Sequence, residues 1–232
     1  HLTGSPFIIG SARSPLAFAY AATVAPTDPY EHAIEQRLDY VRLLGADTAN
    51  KRMDLFLSPE EVARAGAILT KNFGALPPLL MAFHPTGSDP YKWWPAASFI
   101  ELGNFLYESY QSPLLIISGT KDRSAAEAIA ARINGPTLVT GGRIPLLTVA
   151  ALLSHCRLLV ANDSGRLHMG LALRVPTIGL LGADGPRRVG PYGVDWGMAL
   201  HKREEVCKRE PCLLKKCPEN RCMQAIEVSE VV

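Results

Sequence analysis

Five short apolar runs in the second two-thirds of the chain constrain its fold more than any other feature: LLMAF (79–83), LLIIS (114–118), LV (138–139), RLLVAN (157–162) and TIGLL (177–181). Each is apolar almost without interruption, and each is separated from the next by a helical segment or a tight loop. A strand that faces solvent alternates apolar and polar residues, whereas one covered on both faces does not. The pattern therefore predicts an α/β domain, a Rossmann-like parallel sheet with helices on both faces. The intervening helices are expected from Pro95, burying Phe99, Leu102 and Leu106, over the Ala-rich stretch Ser124 to Ile133, and from Pro145 to Leu153.

The first part of the chain is less regular. FIIG (7–10) is a short strand, followed by a loop with Pro15, Pro26 and Pro29 that is too irregular for regular structure. Glu31 to Leu44 is a helix by the spacing of Ile34, Leu38, Val41 and Leu44, and Gly45 stops it. Residues 46–58 form a polar connector. Ser58 then caps a second helix with Pro59 at its first position and acidic residues in the first turn. There is no internal repeat and no low-complexity tract.

Composition narrows the function classes. With 232 residues, 47% of them hydrophobic, the chain can bury a full core. A net charge of +2 and a pI near 8.3 give no argument for a nucleic-acid partner. No apolar run approaches the ~20 residues needed to span a bilayer. The chain opens on His1 with no charged n-region or apolar h-region, so a cytoplasmic location is expected, with the true start upstream.

In an open parallel sheet, ligands bind at the carboxyl ends of the strands. Four polar, glycine-containing loops fall there: HPTGSDPYK (84–92), SGTKDR (118–123), DSG (163–165) and GADGPRRVGPYG (182–193). In the first, Thr86 and Gly87 allow close backbone approach and Lys92 supplies a point charge for a phosphate; the alternative is a solvated loop whose Trp94 and Pro95 only start a helix. In the third, Ser164 is a good N-cap, and the amides of Gly165 and Arg166 then point out of the helix start, where an anion is favoured. Asp163 and His168 flank that entrance, unless this is merely a capped turn with a satisfied histidine.

HPTGSDPYKWWP, the SG-containing loop, DSGRLHMGLAL, VPTIGLLG and GPYG together resemble glycosyltransferase family nine, the bacterial ADP-heptose:lipopolysaccharide heptosyltransferases, from about Phe7 to the end. The resemblance implies a GT-B enzyme, with two Rossmann-like domains facing a cleft and an ADP-sugar donor held mainly by the second. It implies inverting, metal-independent transfer of heptose to a lipopolysaccharide inner-core acceptor. Thr86, Gly87 and Lys92 match the family's donor-phosphate loop, and Asp163, Ser164, Gly165 and His168 its diphosphate-and-sugar motif. Ile144 falls at a contact near the base. Asp122 or Arg123 stands where a glutamate often meets the ribose. On this alignment residues 1–48 are the tail of an acceptor-side domain with its linking helix, and 49–232 are the nucleotide-sugar-binding domain. The family's general base lies in the part not represented, so the fragment alone is expected to be inactive. Lys92 and Asp163 are then left to stabilise charge and position the donor.

No Asp-x-Asp pair of the metal-dependent sugar transferases occurs, and cleft carboxylates are expected to be single. Neither a metal nor an organic cofactor is implied. Cys207, Cys212, Cys217 and Cys222 recur every five residues, which matches neither common zinc spacing nor a secreted disulfide framework. They are thiols packing the C-terminal segment or a structural zinc site, while Cys156 belongs to the core. The mildly basic stretch 201–217 is either a solvated face or a peripheral contact with anionic headgroups of the inner membrane. Three classes stay open: a transferase of ADP-heptose or another nucleotide sugar, a non-catalytic nucleotide-binding module, and a metal-dependent interaction module.

Overall fold

A computed structural model describes the whole chain except residues 1–3, 6, 26, 27, 29, 88, 208–216 and 218. Pro26, Pro29, Ser88, Cys212 and most of the basic stretch thus lie outside the described residues. The chain divides into two units, His1–Lys51 with Arg187–Val189, and Arg52–Pro186 with Gly190–Val232.

In the first unit, strand β1 (Ile9–Ser11) pairs in parallel with β2 (Ala22–Val24), and helix α1 spans Ala33–Arg42. The stretch read as too irregular for regular structure therefore carries a strand. Its ladder is closed by main-chain bonds that composition does not reveal, among them Ala21 N–H to Ile8 O at 2.8 Å and Ala12 N–H to Val24 O at 2.8 Å. His32 caps α1 through its ring, which accepts from the Ile34 amide at 3.2 Å.

The second unit opens with α2 (Pro59–Phe73). Ser58 Oγ accepts from the Glu61 amide at its start, and Gly74, at φ +82°, ends it. Six parallel strands follow: β3 (Met81–His84), β4 (Leu114–Ile116), β5 (Thr137–Val139), β6 (Leu158–Asn162), β7 (Thr177–Leu181) and β8 (Gly197–His201). Their order is β5-β4-β3-β6-β7-β8. The helices between them are α3 (Ala96–Tyr110), α4 (Arg123–Ala130), α5 (Leu146–Ser154) and α6 (Gly165–Ala172); the short α7 (Pro186–Val189) follows β7 in the chain, its last three residues belonging to the first unit. Two single turns, α8 (Arg203–Val206) and α9 (Arg221–Gln224), precede the C-terminus. The predicted parallel sheet is present, with β8 as an additional strand. GMALH has no β-branched residue to announce it, and its register comes from pairing with β7, Thr177 opposite Gly197.

The chain adds β4 and β5 on one side of β3, then β6, β7 and β8 on the other. Right-handed crossovers carry the helices of these two runs to opposite faces. On one face α3 and α4 touch, and α3 meets the C-terminal turn at Val228–Glu230; on the other α5 packs against α2 and α6. Thr148 Oγ1 donates to Glu61 Oε2 at 2.7 Å across the α2–α5 contact. On the α3 face, the rings of Phe83 and Phe99 lie 5.4 Å apart, and Trp94 meets Phe99 edge-on at 4.9 Å. Trp94 Nε1 donates to Ile226 O at 2.8 Å, tying Met223, Ile226 and Val231 into the same core. Cys156 is buried as expected, and burial pushes its thiol well above the ordinary value. No helix among the described residues is long and apolar enough to cross a membrane.

Candidate donor site at the strand-order switch

The strand order reverses between β3 and β6, which are neighbours, so the loops leaving them diverge and open a crevice at their carboxyl ends. Lys92 comes from the loop after β3, in a 3-10 turn over Pro90–Lys92. Asp163 follows β6 directly. Asn162, the last residue of β6, fixes the two together, because its Oδ1 accepts from the Trp94 amide at 3.0 Å. From the other side, Asn220 Nδ2 donates to Trp93 O at 2.8 Å.

Lys92 Nζ donates to Asp163 Oδ2 at 2.7 Å and to Asp184 Oδ2 at 2.5 Å. Asp184 lies in the loop after β7. The expectation that the cleft carboxylates are single is therefore corrected: two of them share one ammonium. The side chains are 17%, 9% and 23% exposed for Lys92, Asp163 and Asp184, so the cluster is largely withdrawn from water. Burial alone would push the ammonium down, but its hydrogen bonds to Asp163 and Asp184 more than offset this and hold it above the usual lysine value. Asp163 is raised, by burial first and by the neighbouring Asp184 charge, against the lowering pull of Lys92.

The start of α6 is built as its sequence suggests. Ser164 Oγ accepts from the Arg166 amide at 3.2 Å, while Gly165 is exposed. Gly87 lies against this entrance: a Cβ built on it would sit 3.9 Å from Ser164 Cβ and 3.9 Å from Asp163 O. His168 is half-buried on the same helix. Ile144 lines a cavity of about 250 Å³ with Ile117, Ser118, Gly119, Gly142 and Arg166. Gly142 has φ +69°, and a side chain there would meet the Thr120 main chain at 2.5 Å, so the floor of this cavity requires glycine.

Thr86 and Asp122 are joined to each other. Thr86 has no exposed surface, and its hydroxyl donates to Asp122 Oδ2. The other oxygen of Asp122 accepts from the Gly119 amide at 2.9 Å. Arg123 extends along Gly141 and lies 3.7 Å from Glu127. His84, at the end of β3, is buried with Nδ1 donating to Ile117 O at 2.7 Å; burial pushes its pKa down to about 4, so it is neutral. Its Nε2, Ser118 Oγ, Asn162 Nδ2 and Arg166 Nε are buried polar atoms with no hydrogen-bond partner among the described residues, all at the strand ends or the start of α6. Buried polar atoms are seldom left so. Among the described residues no group of three or more His, Cys, Asp or Glu side chains is placed to hold a metal ion.

Sequence reasoning missed Asp184, Asn162 and the Arg166 side chain. The usable signal was the convergence of the loop after β7 on the same edge, and a polar residue closing an otherwise apolar strand.

A parallel sheet with this switch and a capped helix start at its crevice defines a Rossmann-like, ligand-binding type of α/β domain. Residues 3–218 match the family model for glycosyltransferase family 9 (heptosyltransferase), and the chain belongs to that family. It is 31% identical over 209 residues to lipopolysaccharide heptosyltransferase 1 of Pseudomonas aeruginosa, covering 89% of this chain and 54% of that protein. Its fold is similar to a family 9 glycosyl transferase of Veillonella parvula (TM-score 0.78, 22% identity, 98% of this chain and 66% of that one). It is also similar to the ADP-heptose LPS heptosyltransferase II of E. coli (TM-score 0.73, 19% identity, 99% and 68%). The expected GT-B type fold is thus found. The chain spans about half the length of the P. aeruginosa relative.

Proposed function

We propose that this chain is the donor-binding part of an inverting, metal-independent heptosyltransferase that moves heptose from ADP-heptose to the lipopolysaccharide inner core. The observation that carries the reading is the juxtaposition at one sheet edge of three parts: the Lys92–Asp163–Asp184 cluster, the exposed start of α6, and the cavity bearing Ile144. The names of the relatives support the sugar, the nucleotide and the acceptor class.

In this reading the nucleoside occupies the cavity at Ile144, and the diphosphate meets the amides at Gly165 and Arg166 beside Gly87. Asp163, Lys92 and His168 face the sugar end. The acceptor oxygen forms a bond to the anomeric carbon as the carbon–oxygen bond to the diphosphate breaks. The electron pair leaves with the diphosphate, and the hydroxyl proton goes to a base that we assign to no described residue. Growing negative charge on the leaving group is stabilised by fixed amides and the nearby ammonium, which are worth most where water is excluded. Such a reaction uses a nucleotide sugar from the cytoplasm and takes place peripherally at the inner membrane, where the lipid acceptor is.

Titration calorimetry of residues 1–232 with ADP, GDP and UDP tests the reading. The expected result is one-to-one binding of ADP, tighter than the other two and competed by ADP-heptose. Absence of ADP binding, or equal binding of all three, overturns it.

A further inference from the structure

We propose that Asp122 and Thr86 form a latch that positions the phosphate-facing loop, so that Asp122 acts on the site through Thr86. This rests on the donor reading above but concerns how that site is held together. Main-chain pairing between β3 and β4 ends at Phe83 opposite Ile116. One residue further on, the Ile117 amide donates to Phe83 O at 2.8 Å, and the His84 ring donates to Ile117 O. Beyond that point the two chains separate into loops. The next connection between them is Asp122, which accepts from the Thr86 hydroxyl with one oxygen and from the Gly119 amide with the other.

Asp122 thus continues the β3–β4 ladder past the sheet by side-chain bonds. Both its oxygens are engaged, and bonds to an ionised acceptor are about twice as strong as neutral ones. The beneficiary is Gly87, the next residue after Thr86, which faces Ser164 at the start of α6. With the latch closed, Gly87 is held at the anion-binding end of that helix; with it open, the loop after β3 keeps its anchors at His84 and from Lys92 to Trp94 but loses the bond at Thr86, next to Gly87. At the position matched to the glutamate that meets the ribose, Asp122 is thus assigned a positioning role acting through Thr86.

The test uses Thr86→Val, Thr86→Ser, Asp122→Ala and the Thr86→Val/Asp122→Ala double variant. Binding is measured with ADP, 2′-deoxy-ADP, 3′-deoxy-ADP and inorganic pyrophosphate, and amide exchange is followed at Gly119 and Gly87. Thr86→Val and Asp122→Ala are each expected to weaken ADP and pyrophosphate alike, by about tenfold, the scale of one charged hydrogen bond. The double variant should be no weaker than the weaker single one, Thr86→Ser should restore binding, and the ratio of ADP to the deoxy nucleotides should be the same in every protein. Exchange at Gly119 should quicken in Thr86→Val, although that amide is bonded to Asp122 and not to Thr86. Loss of the ADP-to-deoxy ratio in Asp122→Ala alone makes Asp122 a ribose ligand and overturns the proposal. Unchanged Gly119 exchange in Thr86→Val overturns it as well. Should the wild type bind no nucleotide while exchange responds as expected, the donor reading falls and the latch stands.

Discussion

Replacing Lys92 with Met removes the ammonium that Asp163 and Asp184 share while keeping most of the side-chain stem that packs there. Deleting one partner of a buried ion pair costs about 3–5 kcal/mol, because the remaining charge is left uncompensated. With side-chain exposures of 9% and 23% for the two carboxylates, the lower end applies, about 3 kcal/mol at pH 7.5. Proton uptake sets a ceiling. A carboxylate of ordinary pKa near 3.9 can be protonated at a cost of about 1.4 kcal/mol per pH unit above that value, so the electrostatic penalty cannot exceed about 5 kcal/mol at pH 7.5 or about 1.5 kcal/mol at pH 5. The sign follows from the direction of the shift. Without Lys92 one carboxylate has a folded pKa above its unfolded value, so the variant keeps its stability below the ordinary carboxylate range and loses it as pH rises through the raised value. Asp163 is already raised in the wild type, so the quantity to compare is the difference between the two proteins. The wild-type ammonium contributes equally at both pH values, since its raised pKa removes stability only above the ordinary lysine range. Urea unfolding followed by the fluorescence of buried Trp94 should show a penalty of about 3 kcal/mol at pH 7.5, falling below about 1.5 kcal/mol at pH 5. An equal penalty at both pH values, or one under about 0.5 kcal/mol at pH 7.5, refutes a water-excluded charge cluster.

Ser164→Ala removes the cap at the start of α6 and is expected to cost about 1 kcal/mol in urea unfolding, with weaker ADP binding by calorimetry; unchanged stability and affinity would separate this helix start from the site. Gly142→Ala combines a positive φ with a contact to the Thr120 main chain and should cost about 2–4 kcal/mol, a loss under about 1 kcal/mol showing that the cavity floor has room to move. Transfer by the complete enzyme should persist after exhaustive chelation, and activity that vanishes and returns with Mg or Mn would replace the ammonium-and-amide account of the leaving group.

The sheet was legible because its strands are covered on both sides, and such strands are written as unbroken apolar runs. Where that condition fails, so does the reading. β8 lies at the edge, pairs with β7 alone among the described residues and consists of GMALH, whose side chains carry no strong strand preference. β2 is three residues, Ala22 to Val24, and owes its existence to β1. α4 ends at Ala130, short of the predicted Ile133, where the Arg132 amide turns back to Ile129 O. The capped starts of α2 and α6 were readable because a cap is a local event: Ser58 meets the amide three residues on, and Ser164 the amide two residues on.

The charge cluster is a different kind of object. Lys92 and Asp163 are 71 residues apart, Lys92 and Asp184 are 92 apart, and no local rule links them. What links them is the reversal of strand order, which makes β3 and β6 neighbours though three helices and two strands of the chain lie between them. The rule that ligands lie at the strand ends selected the right edge and the right loops. It did not say which side chain in each loop turns inward, since that depends on anchors such as Asn162 to the Trp94 amide and His201 Nε2 to Gly182 O at 3.0 Å, the latter steadying the loop that carries Asp184. These anchors come from the sheet and its last strands, so the cluster is ordered when the sheet folds and not when a ligand arrives. A charged site ordered in advance spends none of its interaction energy on reorganisation, the condition under which an ammonium and a row of amides can stabilise a departing diphosphate.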